Sequence, residues 1–179
     1  PVSADYLVNV WPTNGGNPND DYAYNAYKEV VKQDVERVRD KVDVLIVAMH
    51  WGEEYTTSPS TEQKTIARFL SDNGVNLIIG NHVHSIQPIE MIGDTLVFYA
   101  LGNYISSQST TDRLTSALVS LNIRKENNKI SFNNIKANLI YTYYKGSKII
   151  IMLFDLSKPE TLDRLANDWA EEVSTYTSP

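Results

Sequence analysis

Cysteine is absent from these 179 residues, which excludes disulfides and thiolate zinc sites and leaves an oxidising or a reducing compartment equally open. No apolar run approaches the roughly 20 residues that a membrane-spanning helix needs, and the first residues lack a signal-peptide pattern. Positive charge is also short: 16 Lys and Arg stand against 22 Asp and Glu, for a net charge of −6. No Lys/Arg cluster exceeds what a solvated helix face needs, so a nucleic-acid partner is disfavoured. Histidine is scarce, with three in the chain.

What is present is a globular composition, 42% hydrophobic and 21% charged, with enough length for one domain and a sizeable core. Residues 1–179 are read as a single domain with no internal repeat. The chain starts at Pro1 without an initiator Met and reads as a piece of something longer.

Residues 11–20, WPTNGGNPND, carry loop chemistry, with Asp20 a candidate helix N-cap. From Asp21 to Lys41, apolar groups at Ala23, Tyr27, Val30, Val31, Val35 and Val38, continuing to Val42, fall at steps of three and four. They mark one face of an amphipathic helix. Val42 to Met49, interrupted only by Asp43, reads as a parallel strand buried on both faces. Ser60 and Gln63 form a capping-box signature for a helix whose core side is Ile66, Ala67, Phe69 and Leu70, stopped by Asn73-Gly74. Val75 to Ile79 is the next strand, parallel to the first because a helix crosses between them.

Two hairpins follow, Ile86–Ile92 with Thr95–Leu101 and Thr115–Ile123 with Lys129–Tyr144. A further strand is expected over Lys148–Phe154 and a last helix from Lys158 to Val173. The class is α/β passing into α+β.

In parallel sheets, ligands gather beyond the carboxyl ends of the strands. His50 ends the first strand, and His82 and His84 stand just past the second, so all three imidazoles share one rim. Imidazole nitrogen is a common donor for zinc, iron, nickel and copper, and Gly80 would allow a tight turn ahead of the H-x-H pair. A strand-end His is also an ordinary structural residue, and the concentration of all three on one rim favours the metal reading. Glu53 and Glu54 follow His50; Glu53 suits a solvated loop equally well, while Glu54 could ligate, orient or act as a base. Asn103 either makes an Asx turn or presents its amide to the site. Trp51 is read as packing, Tyr22, Tyr24 and Tyr27 as helix surface and core. Arg68 and Arg113 are cations able to receive an anion, although surface cations are common.

Four stretches together, YLVN (Tyr6–Asn9), VDVLIVAMHWGEEY (Val42–Tyr55), GNHVHSIQPIE (Gly80–Glu90) and FYALGNYI (Phe98–Ile105), resemble the CapA family. These are bacterial capsule or poly-gamma-glutamate synthesis proteins related to calcineurin-like metallophosphoesterases. The family shows H-W-G-x-E-Y, then G-x-H-x-H with an apolar stretch and Glu, then L-G-N-F, in this order and at these separations. In the related phosphoesterases the strand-ending His and both His of the G-H-x-H element bind metal, which carries to His50, His82 and His84. Glu54 matches the family's Glu after H-W-G, and Asn103 its L-G-N asparagine.

The resemblance implies the C-terminal half of a metallophosphoesterase-like two-sheet sandwich flanked by helices. Asp, G-D and N-H elements that supply further ligands in those enzymes do not occur before His50, and Asn81 is an extra residue ahead of His82, as in the CapA pattern. The implied cofactors are divalent metal ions, Zn, Mn or Fe. The implied role is synthesis, export or anchoring of an anionic extracellular polymer, poly-gamma-glutamate or its precursor. The parent protein would work with membrane-associated capsule machinery at the extracellular face of the membrane.

A catalytic version would be a phosphoesterase-like hydrolase or transferase, with Glu54 and Asn103 as supporting groups and the fragment alone inactive. The alternative is a non-enzymatic polymer-binding or assembly module with a vestigial site. A third reading is a mononuclear His-rich hydrolase complete in this chain. Without preceding strands, the fragment is expected to dimerise, travel with its missing half or expose sheet edges.

Overall fold

The computed structural model describes residues 22–145 and 147–153; the YLVN stretch, the loop over 11–20 with Asp20, and the helix expected over 158–173 lie outside them. The elements in chain order are α1 (Tyr22–Arg39), β1 (Ile46–Trp51), α2 (Thr61–Asp72), β2 (Leu77–His82), β3 (Ile89–Ile92), β4 (Thr95–Phe98), α3 (Thr111–Leu114), β5 (Thr115–Glu126), β6 (Lys129–Lys145) and β7 (Lys148–Leu153). They form a four-stranded sheet in the order β1-β2-β4-β3 and a three-stranded sheet in the order β5-β6-β7. This is the mixed α/β class expected from the sequence, with the two sheets and flanking helices that the family resemblance implies.

Helix α2 forms where its capping signature places it. The Ser60 hydroxyl accepts from Gln63 N at 3.1 Å, and Gln63 Oε1 accepts from Ser60 N at 2.9 Å, so two otherwise orphaned donors are satisfied. Gly74, with φ +84, stops the helix in the left-handed region. The chain then enters β2, parallel to β1, with His50 opposite Asn81 and Trp51 opposite His82. β4 lies parallel on the other side of β2, and β3 closes that edge as the antiparallel hairpin partner of β4.

One face of this sheet packs against the helices. Ile66, Ala67 and Leu70 of α2 and Val35 of α1 meet Ile78, Val97, Tyr99 and Trp51, all buried. The opposite face meets the second sheet through Leu77, Leu96 and Phe98, against which Val119, Leu121 and Phe132 pack. The second sheet is a long meander, turned between β5 and β6 by Asn127 and Asn128, both at positive φ, as a two-residue hairpin turn of the primed type requires.

Three expectations change. β1 begins at Ile46 rather than Val42 and is not buried on both faces: Val47 and Met49 pack on the helix side, while Ile46, Ala48 and His50 are exposed. Among the described residues it is an edge strand bonded to β2 alone, and it lies beyond the cover of the second sheet. The apolar face of α1 is likewise only partly used, since Val31 and Val35 pack whereas Val30, Val38 and the following Val42 remain exposed. Gly80 lies inside β2, not in a turn; a Cβ there would collide with Tyr99 O and Trp51 Nε1. Its bareness lets the buried Trp51 indole donate across the strand to Tyr99 O at 2.8 Å.

Candidate metal centre

His50, the fifth residue of β1, and His82, the last of β2, face each other across the parallel ladder with ring centroids 4.3 Å apart. Strict alternation would send His82 to the face of its register partner Trp51, opposite His50. Instead His82 has φ +112, which breaks the pleat and brings its ring beside that of His50. His84 follows at φ +64, with its ring centroid 6.2 Å from that of His82. Of the six non-glycine residues at positive φ among the described residues, three are hairpin or strand asparagines and the others are Tyr55, His82 and His84. Backbone strain outside asparagine is therefore concentrated at this rim, the distribution expected where side-chain placement outweighs backbone preference.

Burial, followed by the neighbouring His50, pushes the His82 imidazole below the ordinary histidine range, with Glu54 opposing. The ring is neutral at pH 7, the form that donates to a metal. His84 has a defined orientation. Its Nδ1 lies 2.8 Å from Asn103 Oδ1, and the Asn103 Nδ2 donates to Arg113 O at 3.1 Å and Ser106 Oγ at 3.3 Å. With the amide nitrogen so engaged, Oδ1 is an acceptor and Nδ1 carries a proton, while Nε2 lies 3.6 Å from Glu54 Oε1. Asn103 thus makes the hydrogen bond that sets the tautomer of a ligating imidazole in metal sites.

The loop that carries Glu54 is fastened by groups that sequence patterning did not single out. Tyr55 N donates to Val83 O at 2.7 Å. The fully buried Gln63 donates from Nε2 to Gln87 Oε1 at 2.8 Å, and Gln87 Nε2 donates in turn to Thr56 O and Ser58 O, each at 3.2 Å. Gln63 is legible as a capping residue. Its second role and that of Gln87 depend on the β3–β4 hairpin folding back under the loop, for which no local signal exists.

All five expected residues, His50, His82, His84, Glu54 and Asn103, therefore gather at one rim. Glu53 does not join them through any hydrogen bond or ion pair of its side chain among the described residues; it is exposed, and its carbonyl accepts from Thr56 Oγ1 in a turn. Arg68 belongs elsewhere, in a cavity of about 560 Å³ shared with Arg39, Asp72 and Lys129 around the β3–β4 turn. Trp51 is a packing residue, stacked on Tyr99 with 5.8 Å between centroids. The donor chemistry, three imidazoles with a carboxylate alongside, fits a borderline divalent metal. Among the described residues, however, no group of three His, Cys, Asp or Glu side chains is arranged to hold a metal ion. The chain brings the donors to one rim without closing them on a point.

The family described as bacterial capsule synthesis protein PGA_cap matches residues 6–108, which takes in every residue of this rim. The chain is 37% identical over 91 residues to the PGA biosynthesis protein CapA of Bacillus subtilis (strain 168), covering 51% of this chain and 24% of that protein. It is 33% identical over 100 residues to the capsule biosynthesis protein CapA of Bacillus anthracis, covering 54% of this chain and 24% of that one. The matched segment thus spans about a quarter of the length of these curated relatives. Among solved structures, a protein titled "GAP50 the anchor in the inner membrane complex of Plasmodium" aligns over 86% of this chain and 51% of its own at 16% identity and a TM-score of 0.37, too distant to bear on fold or function. Since the family match reaches from the N-terminal stretch through the imidazole rim to Gln108, over more than half of the chain, this chain belongs to the PGA_cap family of bacterial capsule synthesis proteins.

Proposed function

We propose that this chain is part of a cell-envelope protein that assists synthesis, export or anchoring of a poly-gamma-glutamate capsule, and that its imidazole rim contributes ligands to a divalent metal site. The reading is supported by the names of its relatives, which are PGA and capsule biosynthesis proteins. The observation that carries the site assignment is the gathering of every histidine of the chain, His50, His82 and His84, with centroid spacings of 4.3 and 6.2 Å.

His50, His82 and His84 would hold the ion, which when bound supplies Lewis acidity and hydroxide near neutral pH. The chain's own residues have separate tasks. Asn103 keeps a proton on Nδ1 of His84, and Glu54 stands beside Nε2 of that ring as a carboxylate able to orient a ligand or act as a base. The Tyr55 amide ties the Glu54 loop to Val83, and the Gln63–Gln87 pair holds the same loop at Thr56 and Ser58. Since no closed three-donor group stands among the described residues, a complete site would draw further ligands from beyond them.

The same absence favours a second reading, a polymer-binding or assembly module whose rim holds no metal. Elemental analysis and polymer yield separate the two, using the full-length parent with His50, His82 and His84 replaced by Ala. Lost metal and lost polymer with intact folding support the first; unchanged polymer yield supports the second and sinks the first.

A further inference from the structure

We propose that Arg113 is the residue with which this rim grips a carboxylate of its ligand, an inference that rests on the polymer reading above. The Arg113 guanidinium carbon lies 3.6 Å from the centroid of the Tyr55 ring. That ring stacks in turn on His84, with centroids 5.7 Å apart and planes inclined by 27°. Guanidinium, phenol and imidazole form one column running from α3 into the imidazole rim.

The column is fixed at its base. Arg113 O accepts from Asn103 Nδ2 at 3.1 Å, and Arg113 N donates to Thr110 O, also at 3.1 Å. The amide that orients His84 therefore also holds the backbone of the arginine.

Among the described residues, no hydrogen bond or ion pair engages the Arg113 side chain, and its Nε is shielded from water without an acceptor. Several other cations are engaged: Arg37 with Asp34, Lys125 with Asp43 and Arg39 with Asn73 O. A guanidinium held flat on an aromatic ring keeps its charge and its planar fork of donors. End-on bidentate pairing with a carboxylate uses the two Nη groups of that fork, and a lysine cannot reproduce it.

The need for such a group follows from charge. The chain carries −6 overall, so a polyanion is repelled at long range and must be held by a local, oriented cation. A polymer with one carboxylate per unit, pinned at Arg113, would lay its neighbouring linkage along Tyr55 toward the imidazoles.

The test uses the full-length parent protein and a short defined oligomer of gamma-linked glutamate, with the methyl-esterified oligomer and inorganic phosphate as comparisons. Arg113→Met should weaken oligomer binding by about 10- to 100-fold, and Arg113→Lys by an intermediate amount. The esterified oligomer should not distinguish these proteins, and metal content should stay unchanged. Equal oligomer affinity in wild type and Arg113→Met would overturn the role of Arg113 and leave the polymer reading standing. Absence of oligomer binding to wild type would overturn both. Arg113-dependent binding of phosphate alone would overturn the carboxylate assignment. Should Arg113→Met fail to fold, Arg113→Lys decides, since undiminished affinity in that variant refutes bidentate recognition.

Discussion

At Gly80 the backbone of β2 gives way to a side chain from β1: the Trp51 indole crosses it to reach Tyr99 O. Both contacts that a methyl group would strike belong to buried atoms held by the sheet, so neither can step aside cheaply. Gly80→Ala should therefore destabilise the fold by roughly 1–3 kcal/mol, read as a lower urea midpoint. Because Trp51 immediately follows His50, the same change should disturb the spacing of His50 from His82. A variant with wild-type stability would show that the indole has another place to go. The strain at His82 and His84 belongs to the same scale, since a few residues adopt disfavoured φ so that rings from different strands can meet.

Among the elements, α2 joins stability and site through one residue. Gln63 closes the capping box and also supplies the buried donor to Gln87, which holds the loop at Thr56 and Ser58. Gln63→Ala removes a cap bond and leaves a buried amide oxygen without its partner, a loss of about 2–3 kcal/mol. Hydrogen exchange at the Tyr55 amide, which is bonded to Val83 O, should speed up more than exchange at the β2 amides. Uniform acceleration would mean that Gln63 serves the helix alone.

The capping box, the Asn73-Gly74 stop and the two hairpins were legible in sequence because each is written in residues a few positions apart. The rim was legible because strand ends and histidines coincide. Other features were not. Nothing local to Val42–Met49 says that its strand lies at an edge, since that depends on what lies beside β1. Nothing in Gly80 distinguishes a turn from clearance for the indole of Trp51, which lies far earlier in the chain. Arg113 looked like any surface cation until the fold laid it on Tyr55. The four-residue α3 that carries it was too short to show a helical period.

At the scale of the whole molecule, the edge that β1 presents among the described residues is the conspicuous feature. Ile46 is 48% exposed on a strand that, among the described residues, is bonded on one side only, and such an edge is a template for another strand. We expect the 179-residue chain on its own to self-associate with rising concentration. Ile46→Lys should reduce that association in sedimentation analysis without loss of secondary structure. A chain that stays monomeric at all concentrations with Ile46 intact would show that the edge is guarded by something else. The layering of α1 and α2, first sheet and second sheet places the imidazole rim at one end of the first sheet. Asn103 and Arg113 reach that rim on the segment leading into the second sheet, so the site depends on the two sheets keeping their relative position.

The indole beside His50 also offers an optical gauge. Trp51 is shielded from water and rigidly held, so its emission should be blue and intense, and an open-shell cation captured by the adjacent imidazole would darken it at short range. With Trp11 and Trp169 changed to phenylalanine, one lamp would remain at the mouth of the sheet, and titrating copper or cobalt against it would report loading without any assay of turnover.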